Sequence, residues 1–409
     1  MKKYISIIIL LSLGAASQGA FARDLARPLP NWIDPARERA DGRPPVHYSR
    51  AAPPADFRIP AEYEPVSAVV IGWAGYTGML TAIARGASGP GRADVWAADA
   101  PSSISGVPAA HYSQINAPID TVWMRDYGPF GISAGQARVG IVDAVYRHYQ
   151  YRRDDDALPA NLGKIKKIEV FGMQAILDGG NVMVDSKGSL FMTRRTYSWN
   201  SNLSQNQVDA ALKANFKVKN IYVFEYAGYP GEPADGTGHI DMFMKLLNDH
   251  TVLVSLADTE PFKSNAEKAI AFFKDRTAPD GVPYKIITVK GWDSGAWYTY
   301  TNSLIVNNTA LIPSYSGHAR ENAQARAAYE AGMPGVTVVS IPSDDSITSG
   351  GAIHCVTQTI PAFTGHNPSG KDLPFPGAPA EDGRPVTVLQ KFENVDENLP
   401  ALNQLKNSK

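Results

Sequence analysis

Residues 180–192 read Gly-Asn-Val-Met-Val-Asp-Ser-Lys-Gly-Ser-Leu-Phe-Met, two short apolar stretches separated by a polar turn. This pattern predicts a β-hairpin. Apolar residues at helical spacing follow, so the sequence predicts an amphipathic helix over 204–216 and then a strand over 219–225. The order strand, strand, helix, strand is one supersecondary unit of an α/β protein.

The same unit recurs twice further along the chain, as a pattern of elements and not as a repeated sequence. The predicted elements are hairpins over 239–256 and 301–314, helices over 264–275 and 319–331, and strands over 285–289 and 336–341. A unit of this length that recurs at a regular period favours radial repetition around a common centre.

Polar residues occur where each unit begins and a core residue would be expected. Asp126, Asn181, His239, Asn302 and Cys355 follow one another at intervals of 55, 58, 63 and 53 residues, and Asp241 lies two residues beyond His239. Five units in a ring would bring these side chains together if each occupied an inward position on the first strand of its unit.

Such a centre would hold one thiol, one imidazole, two carboxylates and two amides. A thiolate beside an imidazole is a nucleophile with its acid/base partner. Acyl transfer needs only one orienting carboxylate, whereas two carboxylates suit a planar guanidinium that each can grip through two hydrogen bonds. A cationic substrate would also favour the thiolate form of Cys355.

Alternatives remain for the thiol and the imidazole. Cys355 is the single cysteine of the chain, and a free cysteine is often an inert packing residue. His239 and Asp241 could be a metal pair, although no third ligand has a matching spacing. His354 is adjacent to the thiol in sequence. Because adjacent strand residues point to opposite faces, we expect His239 to be the partner of the thiol.

Alternatives also remain for the other polar residues. Asp126 could be a turn residue or part of a structural salt bridge. Asn181 and Asn302 could hold the backbone at turns or bulges.

The beginning of the chain has the features of a signal peptide over residues 1–22. Lys2 and Lys3 precede an apolar stretch over 5–13, and Ala20-Phe21-Ala22 is a small-x-small cleavage site. The apolar stretch is too short to span a bilayer as a helix. We therefore expect an exported protein, periplasmic or secreted, with no membrane association after cleavage.

Proline-rich segments flank the predicted catalytic domain. The expected organisation is an N-terminal arm over 23–57, a catalytic domain over 58–365 and a C-terminal tail over 366–409. The formal net charge is −1, which gives no support for a nucleic-acid partner.

Five ordered motifs within residues 58–362 resemble those of the agmatine deiminase and bacterial peptidylarginine deiminase group. The motifs are Trp123-Met124-Arg125-Asp126-Tyr127-Gly128-Pro129-Phe130, Asp178-Gly179-Gly180-Asn181, Gly238-His239-Ile240-Asp241, Tyr300-Thr301-Asn302-Ser303 and Gly350-Gly351-Ala352-Ile353-His354-Cys355. The resemblance implies the pentein fold, a five-bladed α/β propeller of repeated ββαβ units. It also implies guanidine hydrolysis without a metal or an organic cofactor.

The resemblance assigns a role to each matching residue. The implied roles are nucleophile for Cys355, general acid/base for His239, guanidinium binding for Asp126 and Asp241, support of the active site for Asn302, contact with the substrate backbone for Asp185, and a wall for the aliphatic stem for Trp123.

The substrate is less clearly indicated. The bacterial peptidylarginine type is exported and reads a substrate carboxylate with two arginines after the first hairpin. This chain has Arg147, Arg152 and Arg153 there, in a different spacing, and they could equally be a solvated charge cluster. The agmatine enzymes typically carry Glu where this chain has Asp178.

We therefore expect an exported hydrolase that converts peptidyl-arginine to citrulline, with ammonia release through a covalent thiouronium on Cys355. The alternative is an agmatine deiminase that produces N-carbamoylputrescine, and a lesser alternative is a guanidinium-binding protein without catalysis. The expected partners are arginine-containing peptides or a small guanidine.

Overall fold

The computed structural model describes residues 28–38, 51–135, 138–146 and 152–363. The expected signal peptide, the whole expected C-terminal tail and Arg147 lie outside these residues. The strands are β1 (Val66–Gly72), β2 (Asp94–Ala98), β3 (Tyr112–Ile115), β4 (Phe130–Ala134), β5 (Arg138–Val145), β6 (Glu169–Ile176), β7 (Met183–Val184), β8 (Ser189–Thr193), β9 (Asn220–Phe224), β10 (Gly228–Tyr229), β11 (Glu232–Pro233), β12 (Met244–Asn248), β13 (Thr251–Leu256), β14 (Lys285–Lys290), β15 (Trp292–Asp293), β16 (Trp297–Tyr298), β17 (Leu304–Val306), β18 (Thr309–Ser314), β19 (Thr337–Pro342) and β20 (Thr357–Pro361).

Helices connect the strands within each unit. The α-helices are α1 (Thr77–Ser88), α2 (Met124–Tyr127), α3 (Arg153–Lys166), α4 (Arg195–Trp199), α5 (Gln205–Phe216), α6 (Phe262–Lys274), α7 (Ala319–Gly332) and α8 (Asp344–Ile347), and single 3₁₀ turns occur at Ala109–His111, Gly179–Asn181 and Ile240–Met242. Among the described residues, none of these helices has the length and apolar character needed to cross a membrane.

Four sheets share one topology, in which two antiparallel strands are followed by a helix and a third strand parallel to the second. The sheets are β4-β5-β6, β7-β8-β9, β12-β13-β14 and β17-β18-β19. These are the ββαβ units that the sequence predicts. The predicted hairpin over 180–192 corresponds to β7 and β8, and the predicted helix over 204–216 to α5.

The fifth unit joins the two ends of the described chain. Strand β20 pairs antiparallel with β1, and β1 pairs in parallel with β2 across α1. Neighbouring units contact one another in chain order. Helix α5 packs on β6 of the preceding unit, and α7 packs on β14 of the unit before it. Helix α1 of the fifth unit packs on β18 and β19 of the fourth. The pairing of β1 with β20 is therefore what closes the set of five.

Two features of the local structure differ from the prediction. The short hairpins β10–β11 and β15–β16 have strands of two residues, too short to show a periodicity. The polar residues also do not lie on first strands. Asn181 and Asp241 lie in 3₁₀ turns ahead of β7 and β12, and Cys355 lies in a turn ahead of β20. A turn can direct a side chain and a nearby backbone N–H toward the same point, which the alternation of a strand does not allow.

Candidate active site

Four of the predicted catalytic side chains lie together in the interior. Asp126, His239, Asp241 and Cys355 are each at most 1% exposed. Nδ1 of His239 lies 3.6 Å from Oδ1 of Asp126, and Sγ of Cys355 lies 3.5 Å from Oδ2 of Asp241. The thiol, the imidazole and the two carboxylates thus form one buried cluster.

Asn302 connects the thiol to one of the carboxylates. Its Nδ2 donates hydrogen bonds to Sγ of Cys355 and to Oδ2 of Asp241, both at 3.0 Å. Its Oδ1 accepts from the backbone N–H groups of Ala352 and Cys355 at 2.8 and 3.3 Å. One amide side chain therefore fixes the nucleophile, its loop and the carboxylate relative to one another.

Asn181 has the backbone-holding role that was left open for it. Its Oδ1 accepts from the backbone N–H groups of Thr193 and Ile240 at 2.9 and 3.1 Å. Because Ile240 precedes Asp241, this contact positions the turn that carries the carboxylate.

His239 has a second carboxylate partner, Asp178. Oδ2 of Asp178 lies 3.2 Å from Nε2 of His239, and Asp178 is buried. Burial acts to lower the pKa of the His239 imidazole, but Asp126 and the hydrogen bond to Asp178 raise it to about 9. At neutral pH the imidazole is therefore protonated. Asp178 begins the Asp178-Gly179-Gly180-Asn181 motif, but it lies outside the regular interval that predicts the other site residues.

The other two reactive groups hold protons more tightly than usual. Burial, together with nearby Asp178 and Asp241, raises the pKa of Asp126 to about 7, despite the opposing charge of His239. Burial and the negative charges of Asp241 and Asp126 raise the pKa of the Cys355 thiol well above its ordinary value. The thiol is therefore neutral in the free site, even with His239 protonated, and a further positive charge would favour the thiolate.

Three atoms of the cluster have no hydrogen-bond partner among the described residues. They are Oδ2 of Asp126, Oδ1 of Asp241 and Nδ1 of His239. Buried polar atoms in this state are costly, and a cation with several N–H donors would satisfy the two carboxylate oxygens.

Gly180 keeps space open between these atoms. A methyl group on its Cα would lie 2.6 Å from Nδ1 of His239, 2.9 Å from Oδ1 of Asp126 and 3.2 Å from Oδ2 of Asp241. Any residue larger than glycine would therefore crowd the centre of the cluster.

A chain of charged side chains lies behind Asp241. Nδ1 of His354 is 2.7 Å from Oδ2 of Asp241, and Nε2 of His354 is 2.7 Å from Oε2 of Glu62. Glu62 also pairs with Lys245, whose Nζ donates to the carbonyl of Ser303 at 2.7 Å. Burial acts to raise the pKa of Asp241, but the hydrogen bond and charge of His354 hold it below its usual value. Asp241 is therefore ionised.

Trp123 lies beside the nucleophile, as expected for a wall of the substrate site. Trp123 is fully buried. A methyl group placed on the Cα of Gly351 would lie 3.1 Å from the ring of Trp123 and 2.5 Å from Sγ of Cys355. Nε1 of Trp123 donates to the carbonyl of Leu29 at 2.8 Å.

The model of the Porphyromonas-type peptidyl-arginine deiminase family matches residues 58–361 of this chain. The chain belongs to this family. The predicted resemblance is thereby confirmed, and the protein is a hydrolase that acts on C–N bonds of guanidines.

Agmatine deiminases are among the curated proteins similar to this member of the family. The agmatine deiminase of Pseudomonas aeruginosa (strain LESB58) is 24% identical over 368 residues, which cover 76% of this chain and 98% of that protein. The agmatine deiminase of Medicago truncatula is 24% identical over 381 residues, covering 75% of this chain and 97% of that protein.

Solved structures of agmatine deiminases share the fold of this family member. The enzyme of Enterococcus faecalis superposes with a TM-score of 0.67 at 19% identity, covering 77% of this chain and 99% of that one. The enzyme of C. jejuni has a TM-score of 0.62 at 18% identity, covering 74% and 96%. The predicted α/β pentein fold is confirmed.

Asp185 lies outside the cluster. Its Oδ1 accepts from the backbone N–H groups of Lys187 and Ser189 at 2.9 and 2.7 Å, which makes it a residue of the β7–β8 turn. The four residues from Asn181 to Asp185 span roughly 13 Å in extended conformation. Its Oδ2 is buried and has no hydrogen-bond partner among the described residues, and the expected contact with a substrate backbone stays a prediction.

The three arginines differ in their surroundings. Arg152 is fully buried and its guanidinium pairs with Glu38 at 2.6 Å, so it is not open to a substrate carboxylate in this structure. Arg153 begins α3 and is half-buried, and its substrate contact stays a prediction. Among the described residues, no three His, Cys, Asp or Glu side chains are grouped so as to hold a metal ion.

Replacing Asp178 should shift the pH dependence of the reaction. Asp178→Asn removes a negative charge and a hydrogen bond that raise the pKa of His239, so the imidazole loses its proton at lower pH. We expect the alkaline limb of kcat to move to lower pH by about one unit, or about 1.4 kcal/mol. Ammonia release from pH 6 to 10 measures this limb. Asp258→Asn, at an exposed ion pair with Lys290, is the control. An unmoved limb in Asp178→Asn would contradict the assignment.

Two variants of His354 separate its two contacts. The amide of His354→Asn can replace Nδ1 and still donate to Asp241, whereas that of His354→Gln reaches toward Glu62 and leaves Asp241 without this donor. Loss of the donor raises the pKa of Asp241, so the carboxylate is protonated at higher pH. We expect the acid limb of kcat/KM to move to higher pH in His354→Gln by at least twice the shift in His354→Asn. Equal shifts would count against a positioning role.

Proposed function

We propose that this protein hydrolyses the guanidinium group of a small substrate of the agmatine class, with Cys355 as the nucleophile. The observation that carries the proposal is the pair of unpartnered carboxylate oxygens, on Asp126 and Asp241, beside a buried thiol and imidazole. A guanidinium is planar and offers donors on both sides, so each carboxylate can accept from it.

Binding of the cation prepares the nucleophile. The negative charges of Asp241 and Asp126 raise the pKa of Cys355, and a bound guanidinium offsets them. The thiol then loses its proton to solvent and attacks the central guanidinium carbon, which forms the C–S bond. The protonated His239 donates its proton to one amino group as the C–N bond breaks, and ammonia leaves. A thiouronium remains on Cys355.

Hydrolysis restores the site in a second step. Neutral His239 accepts a proton from water as the water oxygen bonds to the thiouronium carbon. The C–S bond then breaks, the remaining hydroxyl proton returns to the sulfur, and a ureido product is released. Asp178 holds His239 in position throughout, since it contacts Nε2.

Enclosure of the site supports a small substrate. The four reactive side chains are at most 1% exposed, and Arg152 is paired with Glu38. Agmatine has no carboxylate, so its binding requires no unpaired arginine side chain in the site. The similar curated proteins named above are agmatine deiminases, which supports the same choice.

Peptidyl-arginine is the second candidate. It is favoured by the name of the matching family model and by the signal peptide expected over residues 1–22, which would place the enzyme beside extracellular peptides. Export to the periplasm or the medium is part of our proposal for either substrate.

Loss of the nucleophile should abolish the reaction. Cys355→Ala removes the only cysteine of the chain, so ammonia release from agmatine should fall by at least a thousandfold while the thermal unfolding midpoint changes little. The exposed-site variant Asp258→Asn should retain wild-type activity. Substantial ammonia release by Cys355→Ala would contradict covalent catalysis.

A substrate series decides between the two candidates. We expect kcat/KM for agmatine to exceed that for free arginine and for a peptide ending in arginine by at least tenfold, since the enclosed site excludes a chain. Production of the ureido product and of ammonia would be measured for each substrate. A larger kcat/KM for the peptide would replace agmatine with peptidyl-arginine in this proposal.

A further inference from the structure

Residues 28–38 lie across loops that lead to the nucleophile and to Asp126. The carbonyl of Leu29 accepts from Nε1 of Trp123, three residues before Asp126. The backbone N–H of Asn31 donates to the carbonyl of Ser349 at 2.8 Å, and its Nδ2 donates to that of Gly350 at 3.4 Å. The same carbonyl of Gly350 lies 3.9 Å from Sγ of Cys355. A single residue, Gly350, thus lies between Asn31 of this segment and the thiol of Cys355.

Trp32 extends this contact to the loop of the acid/base residue. Its indole packs against Gly236 and Gly350, so closely that a methyl group on either glycine would overlap the ring. Both glycines have positive φ, 84° and 97°, which lets the backbone pass beneath the indole. Gly236 lies three residues before His239, so one aromatic ring covers the loops of both His239 and Cys355.

A buried ion pair fastens the segment to the catalytic domain. Oε1 and Oε2 of Glu38 accept from Arg152 at 2.6 and 3.2 Å, and both side chains are 0% exposed. The same guanidinium donates to the carbonyls of Pro30 and Trp32 at 2.7 and 3.2 Å. Arg152 thus holds the segment at its end and near its middle.

We infer that residues 28–38 form a strap that closes the active site and sets the size of the substrate it accepts, with Trp32 as the outer wall and the Glu38–Arg152 pair as the fastening. Substrate reaches Cys355 when the strap lifts, and the strap closes again more readily over a guanidine on a short stem than over one on a peptide. The matched family region begins at residue 58, so the strap lies outside it. The size restriction rests on the proposed function, whereas the closure does not.

Alkylation of the single cysteine tests the closure without any turnover. The full-length protein would be treated with iodoacetamide at fixed pH, and the modification of Cys355 followed by mass spectrometry. Glu38→Gln leaves a buried guanidinium without its counter-charge, so the strap should open more often. We expect alkylation at least tenfold faster in Glu38→Gln and at least threefold faster in Trp32→Ala. The control is Glu225→Gln, which makes the same change at the exposed Arg194–Glu225 pair and should stay within twofold of wild type.

Equal alkylation rates in all variants would contradict the proposal that residues 28–38 close the site. The loops of the five units would then be enough to bury the thiol of Cys355. Circular dichroism and thermal melts establish whether each variant is folded. If Glu38→Gln does not fold, Trp32→Ala, which leaves the ion pair intact, decides the question.

Substrate preference tests the size restriction. In Trp32→Ala, kcat/KM for a dipeptide ending in arginine, relative to agmatine, should rise at least fivefold. An unchanged ratio would overturn the restriction. If the wild-type protein releases ammonia from none of the guanidines tried, the proposed function fails. The alkylation rates then still test whether the strap closes the site.

Discussion

The hydrogen bond between Asp241 and His354 is the interaction on which the rest of the site depends. An ionised carboxylate without exposure to water is costly unless a partner compensates it. His354 provides that partner, and Glu62 and Lys245 extend the compensation away from the nucleophile. Glu62 precedes β1 and His354 precedes β20, and these two strands pair with each other. The strands that close the fold therefore also bring together the side chains that compensate Asp241.

The free site holds one protonated imidazole, His239, beside the carboxyl groups of Asp126, Asp178 and Asp241, and it is arranged for a further cation. Asp126 and Asp241 each direct one unpartnered oxygen into the cluster, and both raise the pKa of the thiol they surround. The protein thereby keeps an unfavourable electrostatic arrangement that a bound cation relieves. A neutral ligand of the same shape would gain neither the carboxylate contacts nor an ionised nucleophile. In the proposed reaction, selectivity for guanidinium and activation of Cys355 are thus two results of one arrangement.

The sequence could predict the units because hairpin turns and helix periodicity lie within short windows. It could predict most of the cluster because the residues from Asp126 to Cys355 recur at a regular interval. Asp178, Glu62 and Lys245 were missed since no spacing relates them to their partners: Glu62 is 292 residues from His354. Asp185 has a turn-holding role that the sequence did not predict, because an acidic residue that caps a turn looks the same in sequence as one that meets a ligand. Arg152 could not be placed without knowing that Glu38 folds back upon it.

A repeated architecture also limits where substrate selection can arise. Each unit packs mainly on its neighbours, and the centre is formed by equivalent turns from all of them, so changes there would alter the chemistry itself. Asp126, His239 and Cys355 come from three different units, and a segment outside the repeats can span their loops without disturbing any of them. Residues 28–38 have that position, through Trp123, Gly236 and Gly350. In the proposed strap, such an addition changes access to Cys355 and leaves the charges around it unchanged.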